Sequence, residues 1–92
     1  MVVKANIPYF WQYVTNSASA VEVSGNTAGE CLKDLTTKFP PVESELFDKD
    51  GRLRKHFILY LNNERIAYPE GLNRLVKNGD ELSIEISLLA GG

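Results

Sequence analysis

Few groups in this chain could do chemistry, and the most open of them is the carboxylate of Gly92, which closes the run Leu88-Leu89-Ala90-Gly91-Gly92. Neither Gly91 nor Gly92 has a Cβ, so the acyl group is unhindered and its backbone torsions are permissive. The terminal run reads as the working part of the chain. At ~3.3 Å per extended residue, the five residues reach roughly 16 Å from whatever anchors them. The expected organisation is a folded body over residues 1–88 and a flexible diglycine tail over 89–92, with Leu89 at its root.

The remaining candidates point away from catalysis. The single cysteine, Cys31, excludes an internal disulfide, a cysteine-only metal site and an iron–sulfur cluster. It falls on an apolar helical stripe, where a thiol is usually an inert core residue. His56 has no second histidine or nearby cysteine for a metal site, and no serine or cysteine at a spacing that suggests a catalytic pair. Asp48-Lys49-Asp50-Gly51 looks superficially like a calcium loop, but the twelve-residue ligand register and its closing glutamate are missing. No catalytic residue and no metal ligand is assigned.

Ninety-two residues allow one domain with one core. Apolar content of 43% and charged content of 24% are ordinary for a globular chain. A formal charge of −2 gives no reason to expect nucleic acid or an anionic membrane as partner. The longest apolar run, 57–61, is far too short to span a bilayer, and no charged-then-apolar leader opens the chain, so a cytoplasmic protein is expected.

Alternation by two predicts strands at 2–7, 20–24, 57–61, 64–67 and 81–88. Leu82, Ile84, Ile86 and Leu88 form the inward side of the last. Pro8 ends the first strand. Tyr9-Phe10-Trp11 with Tyr13 reads as a hydrophobic lid on the core edge, with a partner-docking surface as the sharper alternative. Thr27-Ala28-Gly29-Glu30 is a capping box, with the Glu30 carboxylate reaching back to the Thr27 amide. Beyond it Ala28, Cys31, Leu32, Leu35 and Phe39 recur at helical spacing. Pro40-Pro41 ends that helix, and 42–47 makes a short helical turn. Arg52, Arg54, Lys55 and His56 are expected in a solvated loop. Asn62-Asn63 is a two-residue hairpin turn. Residues 68–76 are irregular, with Leu72, Leu75 and Val76 covering the core edge.

This order predicts a two-layer α+β domain, a β-grasp: a mixed four- to five-stranded sheet curled over one main helix, with the first and last strands side by side. If Phe57, Leu59 and Leu61 face the core, His56, Ile58 and Tyr60 point to the other side of the sheet. Apolar residues there form an exposed patch of the kind that marks a contact site.

Several segments match a known family: Gly25-Asn26-Thr27-Ala28-Gly29-Glu30, Leu46-Phe47-Asp48 followed by Asp50-Gly51-Arg52-Leu53-Arg54, Tyr60-Leu61-Asn62-Asn63-Glu64, Asn78-Gly79-Asp80 and Ala90-Gly91-Gly92. In this order they resemble the ubiquitin-like sulfur carriers of the ThiS/MoaD group, most closely the longer cysteine-biosynthesis carriers of the CysO type. Many relatives carry proline just before the tail; here Ser87-Leu88 predicts a slightly longer last strand.

The resemblance implies chemistry at Gly92. An E1-like adenylyltransferase of the ThiF/MoeB type would activate its carboxylate with ATP, and a sulfur donor would displace AMP to leave a thiocarboxylate. The acceptor would be a cysteine synthase-like enzyme or a molybdopterin synthase large subunit. The chain would be a protein-bound substrate with no cofactor of its own, held by His56, Ile58 and Tyr60 on the sheet and by Leu89. Two other roles share the design. As a permanent small subunit of molybdopterin synthase, the chain would co-elute with a large subunit on gel filtration. As a ubiquitin-like modifier it would form isopeptide bonds through Gly92. A plain interaction domain would tolerate deletion of both terminal glycines.

Overall fold

A computed structural model describes residues 1–86. The expectations for Leu89, Ala90, Gly91 and Gly92, and for the last strand beyond residue 86, lie outside those residues. In chain order the elements are β1 (Val2–Asn6), β2 (Ala20–Ser24), α1 (Ala28–Lys38), α2 (Pro40–Leu46), β3 (Phe57–Leu61), β4 (Glu64–Ile66) and β5 (Glu81–Ile86). Single 3-10 turns occupy Tyr9–Trp11 and Glu70–Asn73. The sheet order is β2-β1-β5-β3-β4. β1 and β5 are parallel neighbours, with Lys4, Ala5 and Asn6 opposite Glu81, Leu82 and Ser83. Every other pairing is antiparallel. This is the expected β-grasp, with two helices rather than one on its covered face.

The two-residue period decides which side is buried. Val3, Ala5, Val23, Phe57, Leu59, Leu61, Leu82 and Ile84 all lie in one core, against Ala28, Cys31, Leu32, Leu35, Val42 and Leu46 of the helices. Ile86 shares their parity but is 38% exposed, because the helical layer does not cover the end of β5. Asn62 and Asn63 adopt φ of 52° and 69°. That left-handed pair matches the twist of the β3–β4 hairpin, and asparagine tolerates it.

α1 begins at Thr27, whose Oγ1 accepts from the Glu30 N–H at 3.1 Å. The Glu30 carboxylate accepts from Asn26 N–H at 2.8 Å, one residue earlier than the sequence predicted. The cause is tertiary. Thr27 is bridged to Leu75, Ala28 N–H bonds to Arg74 O and Val76 N–H to Asn26 O. This pins the backbone so that the Asn26 N–H faces the carboxylate. The same bridge corrects a second expectation: Leu75 lends its backbone and turns its side chain out, 79% exposed, while Leu72 and Val76 do cover the core.

Phe39 closes α1 and opens α2. Pro40-Pro41 therefore starts a second helix rather than merely stopping the first, since the opening turn has no intrahelical use for an N–H. Val42 and Leu46 of α2 are buried.

β2 is an edge strand, and α1 guards it. The outward N–H of Ser24 donates to Asp34 Oδ2 at 2.9 Å, and Lys38 Nζ donates to the outward carbonyl of Glu22 at 3.0 Å. Asp34 and Lys38 also pair with each other at 3.1 Å. Two groups that could template a foreign strand are thus occupied. The Ser24 N–H above all, then the Lys38 ammonium, holds the Asp34 carboxyl below the usual range. Asp48 is lowered chiefly by the Arg52 N–H, and Asp80 chiefly by the Lys77 N–H and then the Asn62 amide.

A carboxyl whose folded pKa is depressed stabilises the fold fully above its unfolded value, about 3.9, and that contribution vanishes as pH falls through the folded value. Urea midpoints are therefore expected to hold steady from neutrality down to about pH 5 and to fall below about pH 4. Asp34→Asn should flatten part of that acid limb. An acid limb of unchanged steepness would show that Asp34 contributes nothing to it.

Candidate functional site

Gly92 lies six residues along the chain from Ile86, the last residue of β5, and the surroundings of Ile86 are the candidate site. Ile86 lies opposite Phe57 at the start of β3. Phe57 is the hub of an aromatic group: the His56 ring is 4.4 Å from it, the Trp11 ring 5.2 Å and the Phe10 ring 6.5 Å. Phe10 in turn meets Trp11 edge-on at 5.2 Å, a favoured geometry for a ring pair. The 3-10 turn after Pro8 brings these rings together by folding Tyr9–Trp11 back over the end of the sheet, with Trp11 N–H bonded to Pro8 O.

The four aromatic residues 9, 10, 11 and 13 do not act as one lid. Trp11 is fully buried, whereas Tyr9 is 87%, Tyr13 73% and Phe10 41% exposed. The lid expectation holds for Trp11 alone. Gln12 ties the turn down, its amide donating to Ile7 O at 3.3 Å. The Tyr13 hydroxyl donates to Glu45 Oε2 of α2 at 3.4 Å.

Of the three sheet residues singled out from the sequence, Ile58 and Tyr60 share the open face. Ile58 stands opposite Glu85, and Tyr60 between Ser83 and Arg65. Both are half-buried. Polar groups flank them on that face, with the Asn6 amide bonded to Ser83 Oγ at 2.8 Å and to Glu81 at 3.0 Å. His56 does not continue the strand. It sits in the turn before β3, half-buried, with its ring against Phe57. The structure therefore brings Ile58 and Tyr60 together and leaves His56 beside the aromatic hub.

The basic loop is built rather than loose. Asp48 Oδ1 accepts from the N–H groups of Asp50 and Arg52 at 2.9 and 3.0 Å, and Arg54 donates to Ser44 O at 3.2 Å. The Arg52 guanidinium lies 5.9 Å from the Tyr68 ring centre, within cation–π range. Between this loop and the two helices runs a groove of about 620 Å³ lined by Lys33, Thr36, Glu43, Phe47 and Tyr68 among others. Two of its polar groups are already engaged: Thr36 donates to Lys33 O, and Asp48 caps its own loop. Cys31 is buried on α1, and that burial raises its thiol pKa, which keeps it protonated and unreactive. Among the described residues no three metal-binding side chains converge, and no helix is long and apolar enough to cross a membrane.

No family model matches the chain. The sulfur carrier protein CysO of Mycobacterium tuberculosis is 29% identical over 94 residues, covering all of both chains. Among solved structures, the chain is similar to the BexX/CysO complex of Amycolatopsis orientalis, with a TM-score of 0.80, 29% identity and 98% and 99% of the two chains covered. It is also similar to small archaeal modifier protein 1 of Haloferax volcanii, with a TM-score of 0.81, 26% identity and 96% and 97% coverage. These relatives are carriers and modifiers, not catalysts. Over its full length the chain is similar to sulfur carriers of the CysO type, and it shares their ubiquitin-like β-grasp.

Proposed function

We propose that this chain carries sulfur as a thiocarboxylate on Gly92. The observation that carries the reading is end-to-end likeness to a sulfur carrier in a sequence whose last residues are Ala90-Gly91-Gly92. A carboxylate oxygen of Gly92 attacks the α-phosphorus of ATP in an E1-like, ThiF/MoeB-type partner, releasing pyrophosphate and leaving an acyl adenylate. Sulfide from a donor attacks the acyl carbon, the bond to AMP breaks, and AMP departs with its electron pair. The thiocarboxylate sulfur then attacks an electrophilic carbon held by an acceptor synthase of the cysteine or molybdopterin type, displacing that carbon's leaving group. Water cleaves the resulting acyl–sulfur bond, which returns the Gly92 carboxylate and leaves the sulfur on the acceptor.

The body's part is binding. The open-face residues Ile58 and Tyr60, with His56 and Leu89, are the proposed handle. Binding energy from surfaces remote from the acyl carbon holds the tail in place while the partner does the chemistry. ATP is the partner's substrate and not a cofactor of this chain.

The test is intact-mass spectrometry after incubation with an E1-like enzyme, ATP and a sulfide source. Loading appears as the mass gain of one sulfur-for-oxygen exchange; an unchanged mass under conditions that load a known CysO would sink the reading. The similarity to an archaeal modifier supports a second use of the same activated acyl group. A lysine amine would attack in place of sulfide, and a ladder of conjugates would replace the mass gain.

A further inference from the structure

We infer that Tyr9, Phe10 and Tyr13 form a docking surface for the protein that takes the Gly92 tail, an inference that rests on the carrier reading. Exposure is the first ground. Two tyrosines at 87% and 73% and a phenylalanine at 41% exposure lie within five residues of one another, held by a 3-10 turn in which Trp11 N–H bonds to Pro8 O and Gln12 N–H to Tyr9 O. Aromatic side chains with a polar tip are the residue types that anchor interfaces. They border a shallow recess of about 380 Å³ that also involves Gln12 and Ser17, a size that suits a projecting apolar side chain.

Position is the second, independent ground. Phe10 stands 6.5 Å from Phe57, and Phe57 is the direct strand partner of Ile86. Six residues separate the end of β5 from the acyl group, 87 to 92, and at ~3.3 Å each they span at most about 20 Å. An active site that engages Gly92 must therefore bring its rim close to Ile86. Phe10 lies beside that point, and Ile86 itself is 38% exposed, extending the apolar surface at the end of β5.

The patch is also cheap to present. Trp11 carries the structural load of the turn in the core, so its three neighbours are free to contribute contact area. Their rings have few rotatable bonds, and little side-chain entropy is lost when a partner covers them.

The experiment uses an E1-like adenylyltransferase that loads the wild-type chain, with loading rate measured against carrier concentration. Tyr9→Ala with Tyr13→Ala is expected to raise KM by about ten-fold or more while kcat stays near wild type, the pattern of lost uniform binding. Adding Phe10→Ser should raise KM further. Thermal melting of the double variant should match wild type, because both tyrosines are largely outside the core. Unchanged KM, or a fall in kcat alone, overturns the proposal while leaving the carrier reading standing. A wild-type chain that no such enzyme loads overturns both. A concentration-dependent wild-type dimer that the double variant abolishes assigns the patch to a second copy and overturns the proposal as well.

Discussion

Gly92→Val is expected to cut sulfur loading by on the order of a hundred-fold or more, since misplacing a reacting group by about 1 Å carries that cost. The acyl carbon must approach ATP with its backbone free to turn, and glycine alone combines that freedom with no Cβ. Valine adds a branched carbon next to the reacting centre and stiffens the torsions around it. Gly92→Ala should show a smaller loss of the same kind. Deletion of Gly92 shortens the reach by ~3.3 Å and is expected to abolish loading, because the new carboxylate stops short of the nucleotide. Initial loading rates with ATP and sulfide, alongside a melting curve for each variant, make the measurement. Valine and deletion variants that load at the wild-type rate would end the carrier account, and with it the meaning attached to the terminal diglycine.

Trp11→Ala is expected to cost about 3–5 kcal/mol of folding stability, the range for removing a large aromatic from a core. Trp11 has no exposed surface and packs its ring 5.2 Å from both Phe57 and Phe10. A domain of this size has roughly 5–14 kcal/mol to lose, so the variant should melt about 15–30 °C lower. Trp11→Phe retains most of the ring contact and should lose far less. Urea denaturation of the three proteins decides it. A loss below about 1 kcal/mol for the alanine variant would mean that the turn is decoration rather than part of the core. The same substitution loosens the support beneath Phe10 and Phe57, so the alanine variant should also load poorly at temperatures where it is still folded.

The two variants separate binding and chemistry from folding. Gly92 substitutions act on the acyl terminus, Trp11 substitutions on the scaffold, and Tyr9 with Tyr13 on the contact between them. Only a carrier whose body works as a handle yields three distinct patterns: lost turnover, lost stability and raised KM.

Much of this was legible in the sequence, for reasons that are local. A strand period of two assigned the buried and open sides of residues 57–61 and 81–86 without any knowledge of neighbours, and the structure agrees at Leu59, Leu61, Leu82 and Ile84. The Thr27 cap depends on four consecutive residues, and its Oγ1 bond to Glu30 forms as expected. The long apolar faces of the first and last strands implied that they lie together, and β1 and β5 are parallel neighbours.

What only tertiary structure decided was where equivalent residues ended up. Leu75 and Leu72 are the same residue type three positions apart, yet pairing of Leu75 with Thr27 turned one outward. Tyr9, Phe10, Trp11 and Tyr13 differ little in hydrophobicity, and the 3-10 turn sent one into the core and left three outside. Pro40-Pro41 both closed one helix and opened another, because α2 buries its own Val42 and Leu46 in the core. The capping carboxylate of Glu30 found Asn26 because a distant segment held the backbone there. Above all, the closeness of Phe10 to the end of β5 arises from contacts across 76 residues of chain, from Phe10 to Ile86 through Phe57. Sequence pattern reports which side of an element is apolar; which elements meet, and so which surface stands beside the end of β5, is settled only when the sheet closes.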